Sequence, residues 1–217
     1  MDRLYIAVKA PRPGFVKTRL ARCLGEETAV ALYIGFLRDL HERFVSAAIS
    51  PTWFVTPDGS WPEIAAATGI GGEPSVVDQG DGDWGWRQDR LFASTSRQPD
   101  ERVVLIGSDS PQLSAGYVRS AFDLLAESDL VLGPVHDGGY CLVGMRGSHR
   151  GLLEVPMSTP SVLDALLRRA RSRGLSAALL PPTYDVDEVA DLRALRADCR
   201  DRSDLPATAR ALALVHA

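Results

Sequence analysis

The chain has 217 residues, enough to bury a full core and suited to one domain. Hydrophobic residues make up 45% and charged residues 24%, as in ordinary water-soluble proteins, and 24 basic against 28 acidic side chains give a net charge of -4. That balance excludes a general attraction to nucleic acid or anionic membrane, so basic residues are judged locally. Met1-Asp2-Arg3 runs straight into a strand pattern and no long apolar stretch follows, so neither signal peptide nor membrane span is expected, and the expected location is the cytoplasm. Cys23, Cys141 and Cys199 are scattered without Cys-x-x-Cys spacing, which argues against a zinc ribbon or a disulfide framework and for buried or inert thiols.

In chain order, the apolar run Leu4 to Val8 predicts a first strand, and Lys9 to Leu20 predicts a loop leading into a helix. Two prolines and a glycine restrict that loop, and Lys9, Arg12, Lys17 and Arg19 put four cations within a dozen residues. A basic turn between strand and helix suits a phosphate, though it serves equally as a solvated connection. It matches neither the Walker A loop nor the dinucleotide Gly-x-Gly-x-x-Gly. Helical spacing of apolar residues predicts a helix over Glu26–Ala47, the β-branched and aromatic run Thr52–Thr56 predicts a strand ending at the turn Pro57-Asp58-Gly59, and Pro62 near a first turn predicts a short helix over Trp61–Thr68. A brief strand is expected at Ser75-Val76-Val77. The glycine-rich, acidic stretch Gln79–Arg87 reads as a loop before a helix from about Gln88 to Ser96, either a plain surface loop or a close approach to a ligand, with Gln79 and Arg87 as its residues of interest.

Val103 to Ile106 is the continuous apolar run of a central strand, and it ends at Ser108-Asp109-Ser110-Pro111, ahead of a helix over Ser114–Glu127. An acid at the carboxyl end of a buried strand stands where open α/β sheets bind ligands, and it needs a cation, a backbone donor or a metal. Leu130 to Leu132 predicts a strand, Asp137-Gly138-Gly139 a tight turn, and the residues after it a strand leaving that turn. Ser158 or Thr159 can cap a helix over Ser161–Arg173. A short strand at Ala177–Leu180 precedes Asp185-Val186-Asp187 and a helix running to about Cys199, which Asp187 could cap. Ser203–Ala217 reads as a last helix.

Strands alternating with helices over short connections indicate a mainly parallel, layered α/β domain. The expected architecture is a single-domain three-layer α/β/α sandwich spanning residues 1–217. The basic loop, Asp109 and Asp187 are then expected at the carboxyl edge of one sheet, where a nucleotide phosphate chain could sit. A divalent ion, Mg²⁺ or Mn²⁺, suits paired carboxylates, because hard cations take one or two of them together with phosphate oxygens.

The blocks Lys9–Leu20, Gln79–Arg87, Ile106–Leu113, Gly133–Gly144, Ser158-Thr159 and Asp185–Leu192 resemble the bacterial transferases encoded beside radical-SAM and selenodomain proteins. Those are often labelled arsenosugar-biosynthesis glycosyltransferases, within the nucleotide-diphospho-sugar transferase (GT-A) superfamily. The resemblance implies that Asp109 is a metal-binding acid, with Asp187 the second acid near the metal. It implies nucleotide contacts from Lys9, Pro13, Gly14, Lys17, Arg19, Gln79, Arg87 and Ser108, and an acceptor side at Gly138, Gly139, Tyr140, Ser158 and Thr159. Catalytic roles fall to Lys17, Asp109 and Asp137. The chain departs from the family pattern at Trp84, Cys141 and Met157, around the expected acceptor pocket.

Ser108-Asp109-Ser110-Pro111 offers one acid where many glycosyltransferases present Asp-x-Asp, and the Lys17-Thr18-Arg19-Leu20 block and late Asp185-Val186-Asp187 are similar to those of phospholactate guanylyltransferases. These residues favour nucleotidyl transfer from a nucleoside triphosphate to a small phosphorylated or phosphonate acceptor, with pyrophosphate released. The alternative is glycosyl transfer from a nucleotide sugar to a small acceptor, with Asp137 as base; Asp137 reads equally as a turn residue. A third reading is a nucleotide-binding protein without turnover.

Overall fold

A computed structural model of the chain describes residues 2–95, 98–157 and 159–215. Its strands form a mixed, mostly parallel seven-stranded sheet in the order β3-β2-β1-β4-β6-β5-β7. Within the chain two compact units are distinguished: Met1–Tyr5, Gln79–Gly107 and Gly116–Tyr184 in the first, and Ile6–Asp78, Ser108–Ala115 and Asp185–Ala217 in the second. Among the described residues no helix is long and apolar enough to cross a membrane.

The second unit takes the later part of β1 (Asp2–Lys9), then α1 (Thr18–Leu24), α2 (Glu26–Ser46), β2 (Thr52–Thr56), α3 (Trp61–Thr68) and β3 (Val76–Asp78). Asp185 onward adds a 3-10 turn (Val189–Asp191), α7 (Leu192–Asp201) and α8 (Pro206–Leu212). Leu32, Phe36, Leu37, Leu40 and Phe44 lie on one face of α2 and are fully buried, as helical spacing of apolar residues requires. Gly35 lets α8 come close, because a Cβ there would stand 3.0 Å from the Ala207 carbonyl oxygen. Next to it, the buried Asp39 carboxylate accepts the Ala207 and Thr208 N–H groups at 2.9 and 2.7 Å, satisfying donors that the first turn of α8 leaves free. The tail helix expected over Ser203–Ala217 is thus the shorter α8, starting at a proline suited to a first turn; residues 216–217 lie outside the described residues.

The first unit holds α4 (Trp84–Thr95), β4 (Arg102–Gly107), nearly all of α5 (Ala115–Leu124), β5 (Leu130–Pro134), β6 (Tyr140–Arg146), α6 (Val162–Ser172) and β7 (Ala177–Leu179). Its inner strand β6 runs antiparallel to both β4 and β5, whereas β5 and β7 are parallel. The turn at Asp137-Gly138-Gly139 explains the reversal: Val135 donates to and accepts from Gly139 and Gly138 respectively, and the chain leaves as β6. Helix α4 begins four residues earlier than the glycine content suggests. The Asp83 carboxylate accepts the Trp86 N–H at 2.8 Å and starts the helix, while Gly85 is needed inside its first turn because a Cβ there would lie 2.5 Å from the Leu153 carbonyl oxygen.

Candidate functional site

In the second unit the loop after β1 is a tight turn. Ala10 donates to the Thr56 carbonyl at 2.9 Å, Arg12 to Ala10 at 2.8 Å and Phe15 to Arg12 at 3.1 Å, with Gly14 at φ +71°. Pro13 and Gly14 form its exposed tip, and the exposed Lys9 places its ammonium over the Phe15 ring. Arg12 is already engaged: its guanidinium grips the Glu63 carboxylate through Nε and Nη2 at 2.6–3.0 Å. Arg19 lies 3.5 Å from Glu188, both side chains largely in solvent.

Lys17 behaves differently. It caps α1 in the left-handed backbone region at φ 48°, uncommon for a residue with a long side chain, and its side chain is only 2% exposed. The ammonium donates to the Val186 carbonyl at 2.8 Å and stands 2.5 Å from Asp109 Oδ1 and 3.3 Å from Asp187 Oδ1. Beneath it lies the Phe36 ring. A buried cation needs such partners, since an ammonium without them is expensive in an apolar setting. The three predicted residues of opposite charge, separated by up to 170 positions, therefore meet at one point.

The two acids arrive on segments stitched to each other. Asp109 follows β4, and its carbonyl accepts the Val186 N–H at 2.9 Å. Ser110 donates its hydroxyl to the half-buried Asp185, the first acid of the Asp185-Val186-Asp187 motif, to which the sequence assigned no role of its own. Burial pushes Asp185 up to about 7; the Ser110 hydrogen bond and Lys17 pull it down, while Asp109 and Asp187 push it further up. Asp187 is not the helix cap: Asp191 accepts the Asp187 and Glu188 N–H groups at 2.9 and 2.7 Å, which leaves the Asp187 carboxylate for Lys17. Ser108, expected against the nucleotide, instead turns its hydroxyl to Tyr33 of α2 at 2.8 Å.

Asp109 and Asp187 are both about half exposed, at 48% and 44%, and both reach one cation, a donor set that fits a hard divalent ion completed by phosphate oxygens and water. Among the described residues no three His, Cys, Asp or Glu side chains are gathered as a metal cluster.

The first unit holds the remaining predicted residues. Arg87 donates to Gln79 at 3.3 Å and to the Gly82 carbonyl at 2.8 Å, and Arg90 donates to the Gln79 carbonyl, so the glycine-rich stretch is an ordered loop built on α4. Asp137 accepts the Gly139 N–H at 2.9 Å, the geometry of its turn reading. Gly138, at φ +87°, lies so close to Pro160 that a Cβ would overlap that carbonyl oxygen at 1.9 Å. The Thr159 hydroxyl is 3.4 Å from both the Pro156 carbonyl oxygen and the Ser161 hydroxyl; Ser158 lies outside the described residues. Tyr140 turns its hydroxyl inward onto the buried Gln88 at 2.8 Å, and burial raises its phenol well above the usual range.

The chain has counterparts in sequence and fold. A protein of Desulfovibrio desulfuricans G20, assigned to the nucleotide-diphospho-sugar transferases, superposes with a TM-score of 0.86 at 28% identity, covering 99% of this chain and 96% of that one. The fold is that of the nucleotide-diphospho-sugar transferases. The 3-phospho-D-glycerate guanylyltransferase of Phenylobacterium zucineum is 32% identical over 181 residues, 80% of either chain, and the 2-phospho-L-lactate guanylyltransferase of Methanopyrus kandleri 31% identical over 181 residues, 81% of this chain and 82% of that one. With residues 42–159 matching its model, the chain belongs to the DUF2064 family, described as uncharacterized protein conserved in bacteria, and shares a family with these two guanylyltransferases.

Proposed function

We propose that the protein is a nucleotidyltransferase that joins the nucleoside monophosphate part of GTP to a small phosphorylated acid and releases pyrophosphate. The observation that carries this is the meeting of Lys17, Asp109 and Asp187 in a chain 32% and 31% identical to guanylyltransferases named for 3-phospho-D-glycerate and 2-phospho-L-lactate. A phosphate oxygen of the acceptor attacks the α-phosphorus, a new P–O–P bond forms, and the bond from the α-phosphorus to the bridging oxygen of pyrophosphate breaks.

Lys17 supplies positive charge at the polyphosphate, and Lys9 and Arg19, both exposed on the same loop and helix, add to it. Pro13 and Gly14 shape that loop for close backbone approach. Asp109 and Asp187 would hold Mg²⁺ or Mn²⁺, which when bound supplies further positive charge to the phosphate oxygens. Ser108 acts through Tyr33, fixing the backbone next to Asp109. On the family resemblance, the Gln79–Arg87 pair serves the nucleotide, and Gly138, Gly139, Tyr140 and Thr159 shape the acceptor side. Asp137 is assigned to its turn. Catalysis then rests on alignment and charge stabilisation, as is usual for phosphoryl-type transfer.

The test is pyrophosphate release with each of the four nucleoside triphosphates and a panel including 3-phosphoglycerate and 2-phospholactate. Acceptor-dependent release with GTP, lost in Asp109→Asn, is expected; no release with any pairing rules the proposal out. Free nucleoside diphosphate formed from a nucleotide sugar would instead establish glycosyl transfer.

A further inference from the structure

The ammonium of Lys17 stands where its charge competes with any other cation for Asp109 and Asp187. It has three N–H donors, and three oxygens surround it: the Val186 carbonyl at 2.8 Å, Asp109 Oδ1 at 2.5 Å and Asp187 Oδ1 at 3.3 Å. The lysine approaches from inside, buried above Phe36, while both carboxylates remain open to solvent on their other side. Its left-handed backbone and the hydrogen bond to Val186 hold it there.

Two carboxylates and one ammonium carry a net charge of -1. A divalent ion arriving alone meets acids that are already compensated, next to a fixed positive charge in a partly desolvated setting where repulsion is strong. A polyphosphate changes the balance, since its own negative charge takes up the ammonium and frees both carboxylates. The long lysine stem can carry the ammonium from carboxylate to phosphate without backbone movement.

We infer that Lys17 is a resident counter-cation that makes metal and polyphosphate bind together: the ion alone binds weakly, and the lysine passes from the two acids to the phosphates when both arrive. This deepens the proposed function and rests on Asp109 and Asp187 being the metal-holding acids. In energetic language it is a positive coupling between two ligands through one side chain.

Calorimetric titration with Mn²⁺ alone tests it. Lys17→Gln, which keeps hydrogen-bonding capacity and removes the charge, should bind Mn²⁺ about tenfold more tightly than the natural chain, within the usual range of coupling. Equal or weaker binding in a variant whose circular dichroism matches the natural chain overturns the inference. A second measurement uses the unaltered protein, so that it survives a misfolded variant. The Lys17 ammonium signal in nitrogen NMR should stay in place with millimolar Mg²⁺ alone and move when a non-hydrolysable nucleoside triphosphate is added with it. Movement with Mg²⁺ alone overturns the coupling while leaving the metal site standing. Failure of either protein to bind Mn²⁺ even with nucleotide overturns both the metal site and the inference built on it.

Discussion

The hydroxyl of Tyr33 lies 2.8 Å from Ser108 Oγ and accepts the Lys9 N–H at 3.0 Å, so one buried group on α2 ties the end of β1 to the residue before Asp109. Burial first, with Asp109 adding, drives this phenol far above its usual range, so it stays neutral and keeps both bonds at any working pH. Tyr33→Phe removes the oxygen and leaves a backbone donor and a hydroxyl without it. The expected cost is about 1–3 kcal/mol in denaturant unfolding. Pyrophosphate release should fall by roughly tenfold through looser placement of Asp109, with the turnover number affected more than the acceptor's KM. A stability loss with unchanged turnover would show that the tie is structural alone.

Two arginines of the second unit, Arg43 and Arg12, hold carboxylates in contrasting settings. Arg43 of α2 is almost fully buried; it donates to Asp204 at 2.6 Å and to the Pro111 and Leu113 carbonyls at 2.5 and 3.0 Å, so it anchors both the loop after Asp109 and the chain before α8. Arg43→Met leaves the Pro111 and Leu113 carbonyls without this donor and Asp204 to Arg202, and should cost about 1–3 kcal/mol. Arg12, paired with Glu63 in solvent, should leave the melting temperature nearly unchanged when replaced by alanine. Comparable melting shifts for the two variants would contradict this division.

Gly138 gives a third expectation. With φ +87° and a would-be Cβ 1.9 Å from the Pro160 carbonyl oxygen, Gly138→Ala must move either the β5–β6 turn or the segment before α6. A loss of about 1–3 kcal/mol follows from the strained backbone alone. Gly59 has an equally positive φ of 72° but nothing within 4 Å, so Gly59→Ala isolates the backbone component; the excess at Gly138 measures the clash.

Much of this was readable from local pattern. Strand ends followed by basic or acidic residues place Lys17, Asp109 and Asp187 at candidate positions, and Asp137-Gly138-Gly139 announces the reversal that makes β6 antiparallel. What local pattern does not carry is pairing. The hydrogen bond between Ser110 and Asp185 spans 75 positions, and Tyr33 reads in sequence only as one more member of the apolar face of α2. For the same reason Arg12 looks like an anion ligand until Glu63, 51 positions away, is seen to hold it. Lys17 is the clearest case: its residue type suggests a phosphate, but nothing nearby in the chain reveals that two acids and a carbonyl already occupy its three donors.

Two groups should each cost stability as acid is added, against an opposing gain from Asp185, whose raised pKa favours the folded state as pH falls from about 7. His41 has its proton affinity lowered by burial, which outweighs the opposing pull of Glu42, and its Nδ1 is buried without a hydrogen-bond partner among the described residues. Because the unfolded chain binds this proton more readily, the folded state has its full stability above the ordinary imidazole value of 6.5 and loses part of it as pH falls from there toward the folded value. The second group is Asp129. Burial alone would raise its pKa, but hydrogen bonds from Arg146 and Ser176 overcome that and hold it at about 2. Its contribution is complete above 3.8 and disappears as pH drops toward about 2. Unfolding free energies measured from pH 8 to pH 2 in the natural chain and in a variant of each group should therefore differ by one contribution that fades below 6.5 for His41 and another that fades below 3.8 for Asp129, whatever the opposing gain from Asp185 adds to both curves. His41→Gln should remove the first and leave the second, while Asp129→Asn should do the reverse. If His41→Gln keeps the slope between neutrality and pH 5, the imidazole is not the group responsible, and its burial carries no linkage to folding.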